Sequence, residues 1–169
     1  MNRFFLFFFA VAASAWAADP VEFSVGTFHF DRPEGWAWVT PSSPMRKAQL
    51  ATPGDGSVPG EVTFFHFGPG EGGGVQANVD RWLGQFSDGT SDTKTEQVGK
   101  TSVTFVQAAG TFASGMPGGP TTPKTAYAMR GAILQSAGGD VYVKLTGPEA
   151  VVKAAEGAFE KMVRSAALK

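Results

Sequence analysis

The sequence predicts an α+β domain, an antiparallel β-sheet flanked by two amphipathic helices. Three observations carry this reading. Short runs of alternating apolar residues recur along the chain and are joined by turn signals, the mark of hairpins. Two segments instead place apolar residues at helical spacing: Val75, Val79, Trp82, Leu83 and Phe86 in one, Val151, Val152, Ala155, Phe159, Met162 and Val163 in the other. The order is strands, helix, strands, helix, so both helical stripes must be buried on the sheet.

The elements follow in order. Arg3, the apolar stretch 4–13 and the small-x-small pattern Ala15-Trp16-Ala17 read as a secretory signal peptide over residues 1–17, with cleavage expected after Ala17. The apolar stretch is shorter than the roughly 18 residues of a membrane span. Residues 18–169 are then one domain. "VEFSVGTFHF" (21–30) reads as a half-buried strand with a bulge at Gly26. "WAWV" (36–39) puts Trp36 and Trp38 on one face, and Pro41 and Pro44 break the chain after it. "MRKAQLA" (45–51) is the next strand. "EVTFFHF" (61–67) has aromatics on both faces, which predicts a strand covered on both sides.

After the first helix, "SDGTSD" (87–92) reads as a solvated turn without the EF-hand pattern. Residues 95–113 contain a hairpin turning at Gly99-Lys100, and a Gly/Pro-rich loop (114–123) separates it from 124–136. "AGGD" turns the chain into 141–147. The last helix opens on Thr146-Gly-Pro-Glu149, spaced as a capping box. Lys161, Arg164 and Lys169 stand near its end, where the helix dipole favours cations.

Composition excludes several functions. The chain has 169 residues and no cysteine, which removes disulfides, thiolate metal sites, cysteine nucleophiles and lipid attachment through an N-terminal cysteine. Stability must come from the apolar core, and ten Phe and three Trp lie beyond residue 17. Loss of the signal segment removes only Arg3 from 14 basic and 15 acidic residues, leaving a net charge of −2. No basic field exists for nucleic acid and no polybasic run for a membrane surface.

The glycine-rich stretch 68–74 stands where a dinucleotide fingerprint would, after a strand and before a helix. The surrounding hairpins do not fit the parallel crossover that the fingerprint needs, and Glu71 puts a carboxylate where a pyrophosphate would sit. "GKTS" (99–102) lacks the upstream glycine of a Walker A loop, whose place is held by Lys94. Glycines that let a buried strand turn sharply into a helix explain the stretch, with Gly72 or Gly73 at positive φ. A minority reading makes Gly70, Gly72, Gly73 and Gly74 an anion cradle at the helix start, against which Glu71 already answers the helix dipole.

No metal is expected, since His29 and His66 lack local ligand partners. No Gly-x-Ser-x-Gly elbow occurs, although a triad assembled in space is not readable from sequence. One polar constellation stands out. Asn78, Arg81 and Gln85 lie at i, i+3 and i+7 beside Trp82, a fork donor and two amides next to an indole, suited to a peptide or carboxylate. Arg46, from the strand 45–51, joins them as a candidate binding residue.

"GWAWVTPSSPMRKAQL", "FFHFGPGEGGGVQANVDRWLGQF" and "VKLTGPEAVVKAAEGAFEKMV" together resemble an uncharacterised group of secreted bacterial proteins. Their architecture resembles the Mog1/PsbP-like fold, an αβα sandwich. The resemblance implies a mostly non-catalytic class: photosystem accessory subunits, a small-GTPase-binding factor, envelope lipoproteins. It carries over no catalytic residue, and this chain lacks the cysteine of the lipoproteins. The expectation is therefore a periplasmic or secreted, non-enzymatic binding or accessory domain. It would recognise a protein or peptide partner, with no cofactor, no nucleic acid and no stable membrane anchor after signal cleavage. The alternatives are a small-anion or ligand binder using the glycine loop, and a hydrolase with a spatially assembled site.

Overall fold

The computed structural model describes residues 19–54, 56, 58–115 and 119–169. The expected signal peptide and its cleavage point lie outside the described residues. The chain runs β1 (Glu22–Val25), β2 (Phe28–Asp31), β3 (Ala37–Trp38), β4 (Arg46–Ala51), β5 (Glu61–His66), α1 (Val75–Leu83), β6 (Phe86–Val98), β7 (Thr101–Gly115), β8 (Thr121–Leu134), β9 (Val141–Pro148) and α2 (Glu149–Leu168). β1 and β2 form a separate hairpin; the other strands make a seven-stranded sheet in the order β3-β4-β5-β9-β8-β7-β6, with every pairing antiparallel.

Several sequence expectations are corrected. Residues 21–30 are two strands, because the chain reverses at Gly26 (φ 57) and Val25 pairs with Phe28. The break in alternation at Gly26 is the turn itself, a two-residue reversal that favours glycine. The turn expected at 87–92 is part of β6. That strand lies at the sheet edge and its successive residues are exposed along most of its length, so neither face is buried there and apolar alternation is missing. Its bulge falls between Ser87 and Thr90, where a Cβ on Gly89 would lie 1.7 Å from the Ala109 carbonyl oxygen. The loop expected at 114–123 is mostly ladder, since Ala113 pairs with Pro123 and Gly115 with Thr121; residues 116–118 lie outside the described residues.

The capping box is absent. Thr146 stays in β9, paired with Glu61 on one side and Met129 on the other, and Pro148 precedes the helix without a side-chain cap bond. The last turn of α2 holds no basic residue, and two of the three late cations serve ion pairs: Arg164 of α2 meets Glu96, and Lys169, just past the helix, donates to Asp31 at 2.7 Å. That bond holds the Asp31 carboxyl below its ordinary range.

Alternation along the strands divides the core in two. On β9, Val141, Val143 and Leu145 belong to one cluster and Tyr142 to the other. β5 divides likewise: Val62 and Phe64 enter the first cluster, while Phe65 packs against the second. α2 and the β1–β2 hairpin cover the first face with Val152, Phe159, Val163 and Phe30. There Phe23, Phe30 and Phe64 make mutual ring contacts at 5.1–5.6 Å. α1 packs Val79 and Trp82 on the opposite face, with Met129, Ile133 and Tyr142.

The two covers are unequal. α2 has 20 residues and α1 has nine, or about 30 Å against about 13 Å at 1.5 Å per residue. Seven strands set about 4.8 Å apart span nearly 30 Å. α1 therefore leaves much of its own face uncovered.

Trp82 is 6% exposed and lies on Gly131 of β8, where a Cβ would stand 2.5 Å from the indole ring. Trp82→Ala is expected to lower stability by roughly 3–5 kcal/mol, and Gly131→Ala by about 1–3 kcal/mol through overpacking. Because the methyl added at position 131 would fill the space the indole leaves, Gly131→Ala should cost much less in a Trp82→Ala background. Urea denaturation of the four-member cycle checks this, and strictly additive effects would show that the two sites do not touch.

Candidate functional site

The uncovered part of the α1 face is a cleft of about 730 Å³. Its floor is the sheet: Thr63 and Phe65 of β5 beside Tyr142 and Lys144 of β9, paired as Thr63 with Lys144 and Phe65 with Tyr142. Asn78, Arg81 and Trp82 of α1 form one wall together with Gln85. Phe112, Lys124 and Tyr127 enter from β7 and β8. Their entry follows from a bulge. Gly110 pairs with Tyr127 and Phe112 with Lys124, so Thr125 and Ala126 together oppose Thr111. Ala126 has φ 54 and Gly110 has φ 149. A bulge bends a strand and increases its twist, and the Phe112 ring comes within 5.5 Å of the Lys144 ammonium.

All five residues singled out in the sequence, Arg46, Asn78, Arg81, Trp82 and Gln85, line this cleft, but their roles differ. Asn78 is 1% exposed, and its amide nitrogen donates to the carbonyls of Gly72 (2.7 Å) and Gly74 (2.6 Å). Its oxygen accepts from Arg81. The side chain is thus spent on holding the glycine loop and orienting the guanidinium. Gln85 is not on the helix, which ends at Leu83; it lies in the following turn and accepts from Lys144 Nζ at 2.5 Å. Arg46 donates to Glu61 (2.7 Å) and to Gln49 (2.8 Å). Arg81 is exposed.

Sequence reasoning misses Lys144, Lys124, Phe112, Tyr127 and Tyr142. Lys144 has a legible signal: a lysine inside the otherwise apolar "VYVKL" of a central strand. Burial pushes its ammonium down to about 8; Glu61 opposes the shift, and the Arg81 and Arg46 cations add to it. Among the described residues no carboxylate pairs with it. Tyr142 is 2% exposed, and its hydroxyl has no hydrogen-bond partner among the described residues. Burial, and next Asp140, raise its pKa.

The glycine loop contributes no lining residue; it packs behind Phe67 and Tyr142, which do line the site. Gly70, Gly72, Gly73 and Gly74 all have positive φ, between 74° and 86°. A Cβ on Gly72 would lie 2.9 Å from the Tyr142 hydroxyl and 3.0 Å from the Phe67 ring, so the loop packs onto the sheet. Glu71 does not act on the helix dipole as expected. Its carboxylate accepts from the Gly68 N–H at 3.2 Å, its own N–H donates to the Gly68 carbonyl, and the first turn of α1 holds no acidic residue.

The histidines lie elsewhere. His66 packs against Gly26 and Gly139, with Nδ1 3.3 Å from the Asp140 carbonyl. His29 Nδ1 stands 2.8 Å from Ser24 Oγ across the exposed β1–β2 hairpin, on neighbouring strands and outside the cleft. Among the described residues no cluster of three His, Cys, Asp or Glu could hold a metal ion. Nor is any described helix long and apolar enough to cross a membrane.

No family model and no curated protein sequence matches the chain. The fold does match a solved structure. Cyanobacterial PsbP (CyanoP) from Synechocystis superposes with a TM-score of 0.55 at 10% sequence identity, over 91% of this chain and 96% of that one. The chain therefore has a PsbP-like α+β fold, mostly antiparallel sheet with two helices.

Lys144 makes stability depend on pH. Its folded pKa lies below the ordinary 10.5, so between about 8 and 10.5 the unfolded chain keeps a proton that the folded chain loses. Unfolding free energy then rises with pH, and the penalty is complete below the folded pKa. Denaturant midpoints are expected to climb from pH 8 to pH 10, and Lys144→Met should flatten that climb. An equal slope in the variant would place the titration on another group.

Proposed function

We propose that this protein is an extracytoplasmic, non-enzymatic accessory domain that recognises a protein or peptide partner through the cleft under α1. The observation that carries the reading is the cleft's composition: aromatic surface with Arg46, Arg81 and Lys144 around it, on a sheet face that α1 is too short to cover. Arginine and aromatic residues dominate binding hot spots because they bring large contact area together with directional donors. The signal-peptide pattern supports an extracytoplasmic address, and the PsbP-like fold supports an accessory role by analogy of architecture.

A photoreactive amino acid placed at Arg81 and, as a control, at Lys153 on the exposed side of α2 tests this. Crosslinking in the native envelope is expected to yield a defined adduct from position 81 and none from position 153. Equal adducts from both positions would end the reading.

The glycine loop supports a second reading, a small-anion site, because the start of α1 carries no acidic residue. The packing of Gly72 on Tyr142 favours a purely geometric role. Gly72→Ala is expected to destabilise by about 1 kcal/mol or more, since positive φ and close approach both oppose a Cβ. Phosphate at millimolar concentration should leave the melting temperature unchanged, because a ligand that binds only the folded state must raise it. A saturable rise that loop substitutions abolish while the fold stays intact would favour the anion site.

A further inference from the structure

The cleft concentrates positive charge that the chain as a whole does not have. The full chain carries a formal net charge of −1. Among the described residues, the cleft is lined by four cations, Arg46, Arg81, Lys124 and Lys144, and by one carboxylate, Glu61. Glu61 is already occupied: its Oε1 accepts from both Arg46 (2.7 Å) and Gln49 (3.0 Å). Arg81 donates to an amide oxygen, Lys144 to an amide oxygen, and Lys124 lies 5.2 Å from the Tyr127 ring centroid. Among the described residues none of these three cations is ion-paired; Glu61, already bonded to Arg46, acts on Lys144 only at longer range.

Placing a cation in a half-buried site without a counter-charge is unfavourable. For Lys144 that cost appears as a depressed pKa. An anion entering the cleft would offset it, and would gain from the low dielectric that penalises the bare cation.

The spacing argues for more than one negative charge. Arg46 already has Glu61, so the cations that count are the unpaired ones. Lys144 of β9 lies over the Phe112 ring and Lys124 of β8 over the Tyr127 ring, and these two rings stack with centroids 6.1 Å apart, so an aromatic pair separates the two ammonium groups. A single carboxylate or phosphate cannot neutralise positions so far apart. A short extended polypeptide can, because alternate side chains on one face repeat at about 6.8 Å. The aromatic walls between the cations, Phe65, Phe112 and Tyr127, fit apolar side chains set among the acidic ones.

We infer that the cleft's partner is an acidic peptide segment, carrying two or more carboxylates interspersed with aromatic or aliphatic side chains, which lies across β5, β9 and β8 with its charges on Arg81, Lys144 and Lys124. This rests on the reading of the cleft as a partner site and names its chemistry.

The test is a displayed library of random dodecapeptides, panned on the mature protein. Peptides are counter-selected on the Arg81→Gln, Lys144→Met double variant, whose fold is checked by its melting curve. Arg81 is exposed, and Lys144→Met removes a half-buried charge, so the variant is expected to fold; Arg81→Gln alone serves if it does not. Enriched peptides are expected to be rich in Asp and Glu with interspersed aromatics. They should bind the wild type at least tenfold more tightly than the variant and weaken as salt rises. Their Asn/Gln counterparts should fail to bind.

Neutral or basic peptides that still depend on the cleft would overturn the acidic inference and leave the partner reading standing. If no peptide prefers the wild type while position 81 still crosslinks a partner, the acidic inference falls alone. If both experiments fail, both readings fall. Oligothymidylate binding in the same cleft more tightly than any acidic peptide would replace the peptide with a nucleic acid.

Discussion

The structure depends on the ladder of β9 between β5 and β8. The chain leaves β5, crosses one face of the sheet as α1, reaches the far edge at β6, and returns through two long hairpins before β9 pairs again with β5. Among the described residues, that last pairing is the one ladder that joins the N-terminal strands to the C-terminal hairpins. It aligns six residues with β5 and eight with β8. The return is long in sequence, so its loop-closure entropy must be overcome by the apolar surface β9 buries on both sides. Val141, Val143 and Leu145 meet α2's cluster, and Tyr142 meets α1's.

The same ladder accounts for the site. Period-two geometry sends Tyr142 and Lys144 to the face that α1 covers incompletely. Had the register slipped by one residue, Lys144 would have taken the place of the fully buried Val143 or Leu145, in the cluster of Phe159 and Val163. The cleft is thus what remains when a nine-residue helix covers a seven-stranded sheet. The bulge at Thr125 and Ala126 then brings Phe112 and Tyr127 over the exposed floor. Ala126 with positive φ is a cost of order 1–3 kcal/mol for a residue with a Cβ, and its position beside the cleft ties that strain to the site rather than to the core.

Much of this was legible. "EVTFFHF" declared itself covered on both faces, and Val62, Phe64 and Phe65 divide between the clusters as read. The stripe of the second helix is buried at every named position. In the first helix Val79 and Trp82 are buried, but Phe86 belongs to β6. Local signals failed where tertiary context competed with them. "SDGTSD" has turn composition and lies in a strand because its partner β7 supplies the hydrogen bonds and water accepts its side chains. Thr146 has capping chemistry and stays in a ladder because both β5 and β8 claim its backbone.

The sequence by itself determined the second helical stripe and most of the first, the hairpin turn at Gly99-Lys100 and the positive φ in the glycine loop, because each follows from periodicity or from the absence of a Cβ within a few residues. It also placed Arg46, Arg81, Trp82 and Gln85 among the candidates, since a fork donor and amides next to an indole suit a peptide or carboxylate. Tertiary structure alone decided that these residues share one cleft with Lys144, Lys124 and Tyr127. Those groups come from segments dozens of residues apart, and only the β5–β9–β8 register brings them to one face. It also decided that Asn78 serves the loop and Glu71 serves Gly68. A polar side chain takes the nearest unsatisfied backbone group, and which group is nearest depends on how the chain has folded around it.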